Sequence, residues 1–209
     1  MKYSENMQEV ALLQPDYMGF IFWEPSSRFF KGQIPENLPE NIKKTGVFVN
    51  ETIDFVLDKV KSHKLQAVQL HGKETENYCA QLKEQLHKTI KNKIEIIKVF
   101  SIKDNFDFSV LQPFENYCDY FLFDSKGKLP GGNGYTFDWS VLKTYPSTKP
   151  FLLSGGIGID EIENIKQFLK EPAAQLCYAI DVNSKFELEP GLKNIELLTS
   201  FIHSLKAKN

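Results

Sequence analysis

Short apolar runs recur along the chain at nearly even spacing, and the polar stretches between them carry a helical period. The runs are Tyr17–Phe22, Thr45–Val49, Ala67–Leu70, Ile94–Phe100, Tyr120–Phe123, Pro150–Leu153 and Cys177–Val182. Each is rich in β-branched or aromatic residues and apolar on both faces at its centre, as strands covered on both sides must be. Between them, Glu51–His63 sets Ile53, Val56, Leu57 and Val60 on one stripe. Glu74–Leu86 does the same with Tyr78, Leu82 and Leu86, and Asp160–Leu169 with Ile162, Ile165 and Leu169. These stripes predict amphipathic helices, the first two capped by Asn50 and Thr75. A last helix is predicted over Asn194–Leu205, with Leu197, Leu198, Phe201 and Leu205 inward. Another, over Glu5–Leu13 with Ser4 as its N-cap, stands ahead of the first strand.

Strands begin roughly 25 residues apart, the length of one strand–loop–helix unit. Such alternation gives parallel strands joined by crossovers. No Pro/Gly/Ser linker breaks the series, so residues 1–209 read as one α/β domain: a (β/α)8 TIM barrel lacking its first strand in this chain. A seven-stranded variant or an open sheet is the alternative. A missing strand would leave two unpaired edges and so a route to self-association.

Composition narrows the setting. Hydrophobic residues make up 42% and charged residues 25%, the balance of a soluble globular protein. A formal net charge of −2 lacks the basic footprint of a nucleic-acid binder. No stretch approaches the roughly 20 apolar residues of a membrane span, and Met1–Gln14 lacks a signal-peptide core. Cys79, Cys118 and Cys177 are far apart and form no CxxC pair, which fits a reducing compartment and argues against a Cys-rich zinc site. The expected setting is cytoplasmic, with a small molecule as partner rather than nucleic acid or membrane.

The chemistry concentrates at strand ends. Tyr120-Phe121-Leu122-Phe123 ends on Asp124, ahead of a Gly-rich loop and Thr136-Phe137-Asp138-Trp139. The C-terminal strand tips are where an α/β barrel keeps its reactive groups. A partly desolvated carboxyl group there suits acid work, although a strand-end Asp can also simply cap a loop. Asp138 reads as a helix N-terminal residue with no part in the chemistry.

These strand-end motifs, taken in order, resemble those of the phosphoribosylanthranilate isomerase family over essentially the whole chain. They are Gly19-Phe20-Ile21-Phe22 with Ser26-Ser27-Arg28; Gly46-Val47-Phe48-Val49-Asn50; Gln69-Leu70-His71-Gly72; Phe123-Asp124 with Gly131-Gly132-Asn133-Gly134; Ser154-Gly155-Gly156; and Asp181-Val182-Asn183-Ser184 with Pro190-Gly191. The family's chains normally open with a strand ending in Lys-x-Cys-Gly, whose cysteine is the general base. Met1 falls just after that position, so the resemblance puts the strand and its cysteine upstream.

The resemblance implies an aldose-to-ketose isomerisation without metal or cofactor, because the substrate's own nitrogen takes up the electrons. Asp124 would be the acid. Gly155, Gly156, Asn183 and Ser184 would cradle the phosphate through backbone N–H groups, where a plain turn is the simpler reading. Lys185 stands where glycine is usual, and either meets the phosphate or faces solvent. Arg28, with its planar fork, would take the anthranilate carboxylate unless it is an ordinary surface arginine. His71 would orient groups in the site or serve structure alone. Asp181 would bind substrate polar groups or hold loop amides. One rival is an inactive ligand-binding barrel that keeps the phosphate cradle without turnover; another on the same fold, indole-glycerol-phosphate synthase, needs a lysine acid at a strand tip, and Lys98 stops one residue short of one.

Overall fold

All seven apolar runs form strands, and they lie side by side in chain order. The structure is a computed structural model that describes residues 1–103, 105–125 and 138–206. Its main sheet runs β1 (Tyr17–Ile21), β2 (Lys43–Phe48), β3 (Ala67–Leu70), β4 (Glu95–Ile102), β5 (Tyr120–Ser125), β6 (Phe151–Leu153) and β7 (Cys177–Ile180), every neighbouring pair parallel. Among the described residues β1 and β7 carry no strand on their outer edges. Helix α1 (Ser4–Leu12) precedes β1, and the Met1 nitrogen donates to the Gly19 carbonyl at 2.7 Å.

The helices follow the apolar stripes except at Leu169. They are α2 (Ile53–Ser62), α3 (Glu76–Thr89), α4 (Ile162–Phe168) and α5 (Ile195–Lys206). Leu169 lies just past the last turn of α4 and is exposed, while Phe168 takes the buried position. Val56, Leu57 and Val60 of α2 and Leu82 and Leu86 of α3 are buried against the sheet's outer face. Thr75 caps α3 by accepting from the Tyr78 N–H at 3.2 Å. Two predicted caps are corrected. Thr52, not Asn50, caps α2, accepting from Phe55 N–H. Asn50 is occupied elsewhere: in a left-handed conformation (φ 55°), it donates its N–H to Glu74 and accepts the Lys73 N–H. Ser4 lies inside α1, and Tyr3 holds the cap position without a side-chain bond. The β4–β5 connection is built on a 3₁₀ segment, Phe108–Phe114, interrupted by Pro113. Another, Trp139–Thr144, precedes β6 and is capped by Asp138. The Gly-rich loop at 126–137 lies outside the described residues.

Strand alternation sorts the sheet's two faces. One set of positions, Ala67, Ile97, Val99, Leu122 and Leu152, packs into a small inner cluster with Tyr17, Tyr120 and Ala179 at its margin. The opposite set joins the helices in the larger core. Two residues beyond each inner position along β3, β5, β6 and β7 stand Gln69, Asp124, Ser154 and Asp181. A period of two therefore delivers these polar side chains to one mouth, directly above an apolar floor.

After β7 the chain adds a ribbon. Pro190-Gly191, with Gly191 at φ 90°, turns β8 (Glu187–Glu189) back onto β9 (Leu192–Lys193). Glycine's freedom at positive φ makes that turn possible.

Candidate active site

The mouth forms around Asp124 on β5. Its carboxylate Oδ2 stands 3.4 Å from Nε2 of His71, which follows β3 directly. Gln69 Nε2 lies 3.1 Å from His71 Nδ1. An amide N–H donated to Nδ1 leaves the ring proton on Nε2, facing Asp124. Asp181, just past β7, accepts from Ser154 Oγ at 3.1 Å. Burial raises the Asp181 pKa, as does the negative charge of Asp124, while the Ser154 bond, Lys193 and His71 act the other way. The mouth thus holds two carboxyl groups in unlike surroundings.

A buried knot fixes the His71 loop from below. Lys98 Nζ donates to the carbonyls of Leu70 (3.2 Å) and Gly72 (2.9 Å) and to Glu74 Oε2 (2.9 Å). Glu74 in turn accepts the N–H groups of Gly72 and Asn50. A Cβ at Gly72 would run into Asn50 and the Glu74 carboxylate, so only glycine closes the loop. Lys98 is committed to this knot behind the strand and presents no free ammonium to the mouth.

The two loops expected to take a phosphate stand together. Gly155 and Gly156 both adopt positive φ (96° and 67°), and a Cβ at Gly155 would strike Ser125 on the neighbouring strand. Lys185, in the 3₁₀ turn Ser184–Phe186, lays its aliphatic stem about Gly158, so the 154–158 and 183–186 loops are in contact. Arg28 is drawn beside them. Its Nε donates to both Glu187 oxygens (3.1 and 2.8 Å), and Nη2 lies 2.7 Å from Oε2.

None of the three cysteines belongs to the mouth. Cys79 is buried in α3, Cys118 is buried ahead of β5 at the strand end opposite Asp124, and Cys177 opens β7. Sequence reasoning did not single out Gln69, Glu187 or Lys193. The signal for Gln69 was its place two residues before His71 on an inward-facing period. Glu187 and Lys193 flank a Pro-Gly turn in a stretch that reads as a polar loop.

With this geometry in place, the relatives are decisive. The family model for N-(5'-phosphoribosyl)anthranilate isomerase matches residues 1–204. The chain belongs to the phosphoribosylanthranilate isomerase family. Family enzymes from Parabacteroides distasonis and Phocaeicola vulgatus are 40% and 39% identical to it. The alignments cover 98% and 100% of this chain and 90% and 96% of theirs. Among solved phosphoribosylanthranilate isomerases, the Thermotoga maritima structure matches with a TM-score of 0.77 at 28% identity, over 99% of this chain and 95% of that one. The Thermus thermophilus enzyme shares the fold with a TM-score of 0.80 at 23% identity, over 98% and 94%. A further phosphoribosylanthranilate isomerase, 26% identical with a TM-score of 0.72 over 99% and 95%, was solved in complex with reduced 1-(o-carboxyphenylamino)-1-deoxyribulose 5-phosphate.

Asp181 offers a test of how this family member balances site against stability. A carboxyl group whose folded pKa is raised contributes stability at low pH and loses it as pH rises through the folded value. At neutral pH the half-buried charge is therefore a cost. Asp181→Asn keeps an oxygen for Ser154 Oγ and removes that charge. It should melt higher than the parent near pH 7, with the gap closing toward the acid side. A melting point at or below the parent's throughout would show that the carboxylate is compensated.

Proposed function

We propose that the mouth converts N-(5'-phosphoribosyl)anthranilate into 1-(2-carboxyphenylamino)-1-deoxyribulose 5-phosphate, a step of tryptophan biosynthesis. The observation that carries this reading is Asp124 at the tip of β5, with the His71 ring 3.4 Å away. Asp124, acting as general acid, gives a proton to the furanose ring oxygen. The C1′–O bond breaks, and the lone pair of the anthranilate nitrogen closes a C=N bond. Loss of the C2′ proton then sends its electron pair toward that nitrogen, giving an enolamine that settles as the ketose. The His71 Nε2–H faces the carboxylate that Asp124 becomes, and a hydrogen bond to the charged form stabilises it. By the family resemblance the base for C2′ is a cysteine. Cys79, Cys118 and Cys177 stand away from the mouth, and the groups described above supply the acid and the placement. An assay of substrate conversion with Asp124 replaced tests the reading.

The substrate's two anionic ends define the remaining roles. The amides of Gly155, Gly156, Asn183 and Ser184 line the phosphate end, where backbone at positive φ allows close approach. Arg28 serves the carboxylate end. That carboxylate is remote from the bonds that change, so Arg28→Ala should act on KM and leave kcat nearly alone. The increase should be about ten- to a hundredfold, the worth of a charge-assisted hydrogen bond. A fall in kcat with unchanged KM would place Arg28 with the reacting atoms instead.

Among the described residues no strand pairs with the outer edges of β1 and β7. Part of the β1 edge is taken up, the Gly19 carbonyl by the Met1 nitrogen and the Ile21 carbonyl by the Phe30 N–H, and the remaining edge N–H and C=O groups support self-association with another copy. Sedimentation should show mass rising with concentration. A single monomeric species across the accessible range would refute this.

A further inference from the structure

A hub of buried charge sits between the two anionic ends of the site, and the mechanism above leaves it unused. Its centre is Lys193 on β9, nine-tenths buried along its side chain. Asn6 of α1 fixes its backbone from both sides: Nδ2 donates to the Lys193 carbonyl at 3.0 Å, and the Lys193 N–H donates to Oδ1 at 2.7 Å. The ammonium group has three hydrogens and three acceptors. These are the Asn183 carbonyl (3.1 Å), Asn183 Oδ1 (2.6 Å) and Glu187 Oε1 (3.2 Å). Nothing remains to meet a substrate, so Lys193 cannot be a direct ligand without giving up one of these bonds.

Its partners lead in two directions. Asn183 belongs to the loop proposed for the phosphate. Glu187 accepts the Gly191 N–H at 3.1 Å and grips Arg28 along the Nε–Nη2 edge of the guanidinium. Bonding along that edge leaves the Nη1 hydrogens uncommitted to Glu187. Burial works against the charge on Glu187, and the Arg28 and Lys193 cations outweigh it and hold the carboxylate below its usual range. Burial lowers the Lys193 pKa, as does the Arg28 charge, while Glu187 and Asp181 act the other way and favour its ammonium form.

We propose that Lys193 is a positioning residue that sets the phosphate loop, through Asn183, and the carboxylate fork, through Glu187 and Arg28, as one unit. The inference rests on the roles given above to Arg28 and Asn183, and the test keeps the two separable. Calorimetric titration of the 209-residue chain would use anthranilate and inorganic phosphate as separate probes. Arg28→Ala should weaken anthranilate alone. Lys193→Met should weaken both probes, each by about tenfold, the scale of one lost charge-assisted hydrogen bond. In the Arg28→Ala background, Lys193→Met should add less than about twofold to the anthranilate loss, because it acts through Arg28, and should keep its full effect on phosphate. Glu187→Gln, nearly isosteric, should weaken anthranilate and spare phosphate, and it decides the point if Lys193→Met does not fold.

Unchanged affinity for either probe in folded Lys193→Met, additive losses in the double variant, or an inert Glu187→Gln would each overturn the proposal. Arg28→Ala without effect on anthranilate would instead overturn the carboxylate reading beneath it.

Discussion

Asp124→Asn should lower kcat by about 10²- to 10⁴-fold, the usual contribution of general acid assistance, with little change in KM. The amide keeps the size and polarity of the carboxyl group and can still accept from the His71 ring, so the substrate meets nearly the same surface. What it cannot do is deliver a proton to the ring oxygen. An interaction needed only in the transition state shows its loss in kcat and kcat/KM together. The measurement compares kcat and KM of Asp124→Asn with those of the parent under the same conditions. Full activity from Asp124→Asn would move the acid to another group, with Asp181 next in line.

Much of this site was legible before any coordinates, for identifiable reasons. Asp124 and Asp181 announce themselves because each closes an apolar run, and strand periodicity fixes the side of the sheet they face. Thr75 was legible as a cap because its bond to the Tyr78 N–H is local. Asn50 was not, because its partners are Lys73 and Glu74, in the loop after the next strand. The largest gap is Arg28. Its residue type suggested a carboxylate partner, and the structure supplies one from within the chain, Glu187, 159 positions away. No pattern in sequence links a turn after β1 to a ribbon after β7. Only the curl of the parallel sheet brings them together, and the same curl assembles the Lys193 hub. Local rules thus reach single strand ends, while the pairing of charges across the mouth belongs to topology.

The knot beneath His71 should give the largest stability effect in the molecule. Lys98→Met would leave Glu74, its side chain 1% exposed, as a buried carboxylate without its cation. Breaking a buried ion pair from one side typically costs about 3–5 kcal/mol, far more than the intact pair contributes over an apolar substitute. For a chain of this size that is a fall in melting temperature on the order of 10 °C. Adding Glu74→Gln removes the stranded charge and keeps one oxygen for the Asn50 and Gly72 N–H groups, so the double variant should recover most of the loss. The two forms should also separate function from stability. Gly72 adjoins His71, and the Lys98 ammonium holds the carbonyls on both sides of that residue. A double variant that regains its melting temperature should still show a lowered kcat, because the imidazole is no longer held toward Asp124. If Lys98→Met melts like the parent, the pair does not hold the loop. If the double variant recovers kcat together with stability, the knot serves the fold and not the orientation of His71.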